Sequence, residues 1–266
     1  VVFGTPDEER TSGKVNFVEA HAFDNIDAVI MCHPCTESEE SGTTLGLGAL
    51  QFEFRGISAH AALPKEDCRN ALDALVMSYL NINNLKQYIP GANIYGIIDN
   101  GGSRPNIIPD YASMKYYIRA ASKKKLQEYM DRVAGCVRHT ARASGVSVDV
   151  TEFENRVEGL VTNHTLSDVF KENYEKLTTL RLKKPETYAA TSDIGNVSNV
   201  VPTIHSWIGI TSAGGPALHN PEFTDATMTD FAAGEMLSAA VAMAQTGYQV
   251  ITEPELLQKI RLEFEK

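Results

Sequence analysis

The sequence predicts an α/β fold interrupted by an inserted β-α-β-β-α-β sandwich of ferredoxin-like type. Three observations carry that prediction. Short apolar runs that stop at Gly or Pro breaks occupy the first part of the chain, as the strands of a buried sheet do. From about residue 47 the pattern changes to alternating strands and amphipathic helices in the order β-α-β-β-α-β. After Arg156 the α/β character returns, with a buried strand between helices. The implied divisions are residues 1–46, 47–156 and 157–266, the first and last belonging to one domain.

Taken in order, Val1-Val2-Phe3 before Gly4-Thr5-Pro6 reads as a buried strand delivering its end to the surface. Ile26 to Met31 repeats that layout and stops at Cys32-His33-Pro34, and the glycine-rich stretch from Gly42 to Gly48 reads as a crossing point. Ala49 to Phe54 alternates like a half-exposed strand. Ala71, Leu72, Leu75, Val76, Tyr79 and Leu80 have helical spacing. Ile94 to Ile98 and Ala112 to Ile118 read as strands joined through Gly101-Gly102 and Pro105 to Pro109. Leu126, Met130, Val133 and Val137 mark a helix stopped at Gly145, although three lysines at its start oppose its dipole. Val146 to Val150 closes the sandwich, whose open face is left for association. Beyond it, Leu166 to Leu177 and Asp230 to Gln245 read as helices and Ile204 to Ile210 as a buried strand. Thr252-Glu253-Pro254-Glu255 carries both a capping box and an early proline for a last helix.

Bulk properties exclude several classes. The chain has 266 residues, 43% apolar and 22% charged, as globular proteins do. A net charge of −10 argues against nucleic acid or an anionic membrane as partner. No apolar run approaches the roughly 20 residues that span a bilayer. Four scattered cysteines do not make a disulfide scaffold, and Cys32-x-x-Cys35 has no second pair, so a reducing, cytoplasmic setting is expected. The chain opens inside an apolar run with no Met, which leads us to expect a segment upstream of it.

Candidate chemistry gathers at strand ends and Gly/Pro-rich loops. The carboxylates Asp7, Glu8 and Glu9 repel one another and need a cation, a buried proton or free solvent. Taken alone, they read as a solvated acidic turn. His33 follows a buried strand, His60 closes Gly56-Ile57-Ser58-Ala59-His60, and His219 lies in Gly214-Gly215-Pro216-Ala217-Leu218-His219. Imidazole and carboxylate together suit Zn²⁺ and its first-row neighbours. A second carboxylate beside a liganding one can serve as general base. His21, His139 and His164 stand in surface-like or helical contexts that call for no chemistry. The Ser58 stretch is not followed by a helix, which argues against a serine hydrolase.

Gly4-Thr5-Pro6-Asp7-Glu8-Glu9, His33-Pro34, His60-Ala61-Ala62-Leu63-Pro64, Gly101-Gly102-x-x-x-Asn106-x-x-Pro109-Asp110 and His219-Asn220-Pro221-x-Phe223 occur together and in this order. That set resembles the aminoacylase and aminobenzoyl-glutamate hydrolase family of co-catalytic zinc metallopeptidases, in its amidohydrolase branch. Thr191-Ser192-Asp193-Ile194-Gly195-Asn196-Val197-Ser198 with Val201-Pro202-Thr203-Ile204-His205 is similar to the aminobenzoyl-glutamate hydrolase and dipeptidase side of that branch.

The resemblance implies a phosphorylase/hydrolase-like α/β catalytic domain, incomplete here, with the inserted sandwich as lid and dimerisation domain. It implies Glu8 as general base and Glu9, His33 and His219 as metal ligands. His60 would stabilise the oxyanion of the partner subunit's site. Asn106 and Arg119 would bind the substrate's carboxylate end, a task that suits an arginine fork. Two divalent cations, zinc or manganese, are implied for the complete protein and none or one for this chain, because further ligands of the family lie upstream of Gly4. The implied substrate is a dipeptide, an N-acyl amino acid or aminobenzoyl-glutamate, and the implied assembly is a homodimer. Asp7 and Arg10 depart from the family pattern, which has a small residue and a glycine there. The alternative is an incomplete fragment or subunit that dimerises and binds ligand without turnover.

Overall fold

The computed structural model describes residues 1–60, 68–185, 191–212 and 214–265. The chain divides into two compact units, Val1–Thr44 with Leu160–Lys266, and Leu45–Gly159. Chain order begins in the first unit with α1 (Lys14–Glu19) and β1 (Val29–Cys35). The second unit follows with β2 (Gly46–Arg55), β3 (Ala59–His60), α2 (Ala71–Leu85), β4 (Asn93–Asn100), β5 (Ile107–Ile108), β6 (Tyr111–Ala120), α3 (Lys123–Ala143) and β7 (Ser147–Glu152). The chain then returns to the first unit with α4 (His164–Tyr174), α5 (Ile194–Ser198), β8 (Thr203–Gly209), α6 (Pro221–Ala226), α7 (Asp230–Thr252) and α8 (Pro254–Phe264).

The second unit has the expected ferredoxin-like organisation. Its four-stranded antiparallel sheet runs β4-β6-β2-β7, with α2 and α3 against one face. Period-two alternation decides which side chains face the helices: Leu50, Phe52 and Phe54 of β2 and Met114, Tyr116 and Ile118 of β6 are buried. They pack with Leu75 and Ile82 of α2 and Leu126, Val133 and Val137 of α3, each set at helical spacing. Asn70 caps α2 by accepting from the Leu72 and Asp73 amides, and Ser122 caps α3 by accepting from Lys125. The lysines that open α3 against its dipole have one evident compensation, since Lys123 Nζ lies 2.5 Å from Glu158 Oε1.

In the first unit β1 and β8 pair in parallel, from Val29 opposite Thr203 to Cys35 opposite Gly209. Leu166, Phe170 and Tyr174 of α4 pack with Ile204 and Ile208 of β8, Ala239 and Ala242 of α7 and Ile260 of α8. Two sequence expectations are corrected here. Val1-Val2-Phe3 is not a buried strand: Val1 and Val2 are exposed, and Phe3 packs its ring on Phe17 and Phe23. Apolar character supplies the side chains of a strand but not its ladder, and among the described residues no strand pairs with this run. Thr252 does not cap the last helix. It ends α7 with its hydroxyl donating to Tyr248 O, while Glu253 holds the cap position without a side-chain bond and Pro254 starts α8. Helix α7 also runs seven residues beyond Gln245, with Thr246 and Val250 buried and Asn173 of α4 donating to Thr246 and Gln249.

Glu40 is a buried carboxylate held by two lysines, Lys171 Nζ at 2.5 Å and Lys184 Nζ at 2.7 Å. Burial alone would raise its pKa; the hydrogen bonds and charges of both lysines outweigh burial and hold it below the ordinary value. A depressed carboxyl pKa stabilises the fold above the unfolded-state value and ceases to do so as pH falls through the folded-state value. The melting temperature of Glu40→Gln should therefore lie below that of the native chain at pH 7, with the gap closing as pH is lowered below about 4, measured by circular dichroism.

Candidate functional site

The acidic run forms a small closed loop. The Asp7 carbonyl accepts from the amides of Thr11 at 3.2 Å and Ser12 at 3.0 Å, and the Thr11 hydroxyl donates to the Asp7 carboxylate. The two ends of the loop touch: a Cβ on Gly13 would lie 2.2 Å from the Pro6 carbonyl oxygen, so no larger residue fits without moving the backbone. Asp7 and Ser12 adopt positive φ of 67° and 58°. Left-handed backbone costs a non-glycine residue about 1–2 kcal/mol, and such positions gather where function constrains the chain. Asp7, which reads in sequence as plain surface charge, is thus the residue about which the loop closes.

Glu8 and Glu9 extend from this loop, half-buried and exposed. Glu9 Oε1 meets His219 Nε2 at 3.2 Å, both side chains mostly in solvent. His219 also has positive φ, 64°. Its loop is pinned to the C-terminal end of β1, because the Thr36 hydroxyl donates to the Pro216 carbonyl at 2.8 Å. His33 lies on β1 opposite Trp207 of β8, with ring centroids 4.8 Å apart, and His205 is 5.8 Å away. His33 Nδ1 donates to the Pro34 carbonyl at 2.7 Å, which leaves Nε2 as the nitrogen with a free lone pair. Ligands of open α/β sheets bind at the C-terminal ends of strands, where His33 stands.

Of the predicted ligands, the structure brings Glu9 and His219 together. It carries His33 on the adjoining strand, but among the described residues no group of three His, Cys, Asp or Glu side chains converges as a metal site. The donor types fit a divalent cation, two imidazoles and a carboxylate. The exposed Glu9–His219 contact is of the weak kind that a cation can displace. Behind the ligand candidates lies a second set of residues that single motifs do not single out. Lys14 Nζ and its backbone amide both bind the Asp193 carboxylate, at 2.8 and 2.9 Å, all of it buried. Burial, with the charges of His33 and Lys14, pushes the His205 imidazole down to about 3, so it is neutral. Asp193 and His205 both lie in the stretch from Thr191 to His205 that carries the resemblance, although no role attaches to them there, and Lys14 has no motif of its own.

His60, Asn106 and Arg119 belong to the second unit. His60 pairs with Ile107 in the β3–β5 ribbon, beside Asn106. Its companions Ala61 to Pro64 lie outside the described residues. Ser58 of the same stretch donates its hydroxyl to the Ile108 carbonyl, a structural use. Arg119 stands near the far end of β6, opposite Asn93, roughly 26 Å along the strand from Tyr111 at 3.3 Å per residue. Within one chain Asn106 and Arg119 are therefore at opposite ends of the sheet. His139 Nδ1 donates to the Gly135 carbonyl of its own helix at 2.7 Å, and His21 contacts Asp24, so both keep structural roles.

Comparison with known proteins relates this arrangement to a family. Residues 43–144 match the peptidase dimerisation domain of the M20 type. The Xaa-Arg dipeptidase of Mus musculus is 37% identical over 99% of this chain and 62% of its own length. A p-aminobenzoyl-glutamate hydrolase component of Escherichia coli is 27% identical over 99% of the chain and 66% of its own length. The chain thus spans about two thirds or less of the length of these relatives. The fold is also that of a dinuclear metal binding peptidase of the M20 family from Bacillus subtilis, with TM-score 0.60 and 16% identity over 90% of this chain and 63% of that one. Motifs, fold and relatives agree: residues 43–144 match the M20 dimerisation domain, and the chain over nearly its whole length is similar to M20 metallopeptidases.

Proposed function

We propose that this chain carries part of a metal-dependent amidohydrolase that cleaves a dipeptide, an N-acyl amino acid or aminobenzoyl-glutamate. The observation that carries the reading is the contact between Glu9 and His219 on a closed, strained loop that also presents Glu8. The names of the dipeptidase and hydrolase relatives support the substrate class. Glu9, His33 and His219 would be ligands of divalent cations, zinc or manganese, with His219 on a different cation from Glu9, and two such cations serve the complete protein. When bound, the metal supplies Lewis acidity to the scissile carbonyl. Glu8 takes a proton from the attacking water and returns it to the leaving amine. His60 donates a hydrogen bond to the developing oxyanion of the partner subunit's site. Asn106 and Arg119 are assigned to the substrate's carboxylate end; being far apart in one chain, they reach one such group only if they come from different subunits.

A homodimer supplies the partner for His60. The matched dimerisation domain supports it, as does the edge strand β4, which exposes Tyr95, Ile97 and Ile98. A long apolar edge is a template for pairing with another chain. Among the described residues no helix is long and apolar enough to cross a membrane. Among the described residues no disulfide joins the cysteines, which suits the cytoplasmic setting we assign. A second reading, a subunit that dimerises and binds ligand without turnover, is favoured by the absence of a three-ligand group among the described residues. Metal analysis separates the two: two tightly held cations per chain contradict the second reading, and none or one supports it.

Glu8→Gln should lower kcat for a dipeptide or N-acyl amino acid by about 10²- to 10⁴-fold, the share of a positioned general base, and a chelator should abolish turnover. Undiminished turnover in the variant would remove Glu8 from the mechanism. Ile97→Lys should convert the dimer to a species of 29.1 kDa in sedimentation equilibrium; a native chain that is already monomeric at micromolar concentration sinks the role of His60 in trans.

A further inference from the structure

Lys14 is the first residue of α1, whose cap position is held by Gly13 and therefore has no side chain to offer. Asp193 supplies the missing cap from 179 residues away in sequence, accepting the Lys14 amide on Oδ2 while Oδ1 binds the ammonium. Asp193 itself rests on α5, all of whose residues are buried. The acidic loop ends at Gly13, one residue before this anchor, and closes there against the Pro6 carbonyl. The position of Glu8 and Glu9 is therefore set by where Asp193 holds Lys14.

Stability does not account for such a pair. Removing one partner strands a buried charge, whereas replacing both by apolar residues of similar volume is often neutral or stabilising. What apolar residues do not reproduce is a two-point, directional grip on a backbone amide and a side chain at once. We propose that Lys14 and Asp193 are positioning residues that fix the acidic loop so that Glu9 faces His219 and Glu8 faces substrate. The catalytic part of this statement rests on the hydrolase reading; the structural part does not.

The test is the double variant Lys14→Met/Asp193→Leu in the full chain, beside Asp193→Asn, which keeps one acceptor and no charge. Hydrogen exchange is read at Thr11 and Ser12, whose amides close the loop on Asp7, with the β8 amides as an internal control. The double variant should exchange roughly 10-fold faster at Thr11 and Ser12 with β8 unchanged. Loop exchange within about 2-fold of the native chain in a folded double variant overturns the proposal. If the double variant does not fold, Asp193→Asn decides: selective acceleration at the loop supports the anchor, and none refutes it. Where the native chain hydrolyses an amide, the folded variants should lose about 10²-fold in kcat with KM nearly constant, the loss expected for a misplaced catalytic group, and equal kcat overturns the positioning role. A native chain without turnover under added Zn²⁺ or Mn²⁺ counts against the hydrolase reading alone, and the exchange result still decides the anchor.

Discussion

A single carboxylate gripped at two points by one lysine governs the candidate site. Asp193 neutralises Lys14 and caps the helix that Lys14 begins, and the buried setting makes both bonds costly to break. From that anchor the chain runs backwards through Gly13 into a loop that closes on Asp7. Three carboxylates in a row have every electrostatic reason to drift apart into solvent. Here the backbone of the loop holds them, with Asp7 turned to Thr11 and Glu9 directed to His219. Strain at Asp7, Ser12 and His219 is tolerated because bonds on either side over-determine those positions.

The second unit obeys a simpler constraint. A four-stranded antiparallel sheet with helices on one face leaves its other face and its edges to be dealt with. Strand β7 ends one side and β4 the other, and β4 exposes Tyr95, Ile97 and Ile98. The proposed dimer covers an edge of this kind. The same unit places Asn106 just before β5, ahead of the Tyr111 end of β6, and Arg119 near the other end of β6, so a single copy does not gather all of the predicted lid contacts at one place.

Between these constraints lies the chemistry that the family resemblance suggests. His33 stands at a strand end with Nδ1 committed to Pro34, which leaves Nε2 for the ligand role proposed for it, and its ring clusters with those of Trp207 and His205. His205 stays neutral beneath it and so adds no charge that would repel a cation. Glu8, Glu9 and His219 occupy solvent-facing loops, where ligands and substrate have access.

The sequence by itself determined the β-α-β-β-α-β order of the insertion, because periods of two and 3.6 residues are local and survive in the order of apolar residues. It also placed His33 near the end of a strand, since the Pro break marks that end. Tertiary structure alone decided three further matters. Val1-Val2-Phe3 has the composition of a strand and is not one, because a ladder needs a neighbour that no local pattern encodes. Thr252 has the spacing of a capping box and instead continues α7, whose burial against α4 extends it past the local stop. Asp7 reads as surface charge and Lys14 carries no signal in the sequence; only contact with Thr11 in one case, and with a carboxylate 179 residues distant in the other, made them the frame on which Glu8 and Glu9 are hung.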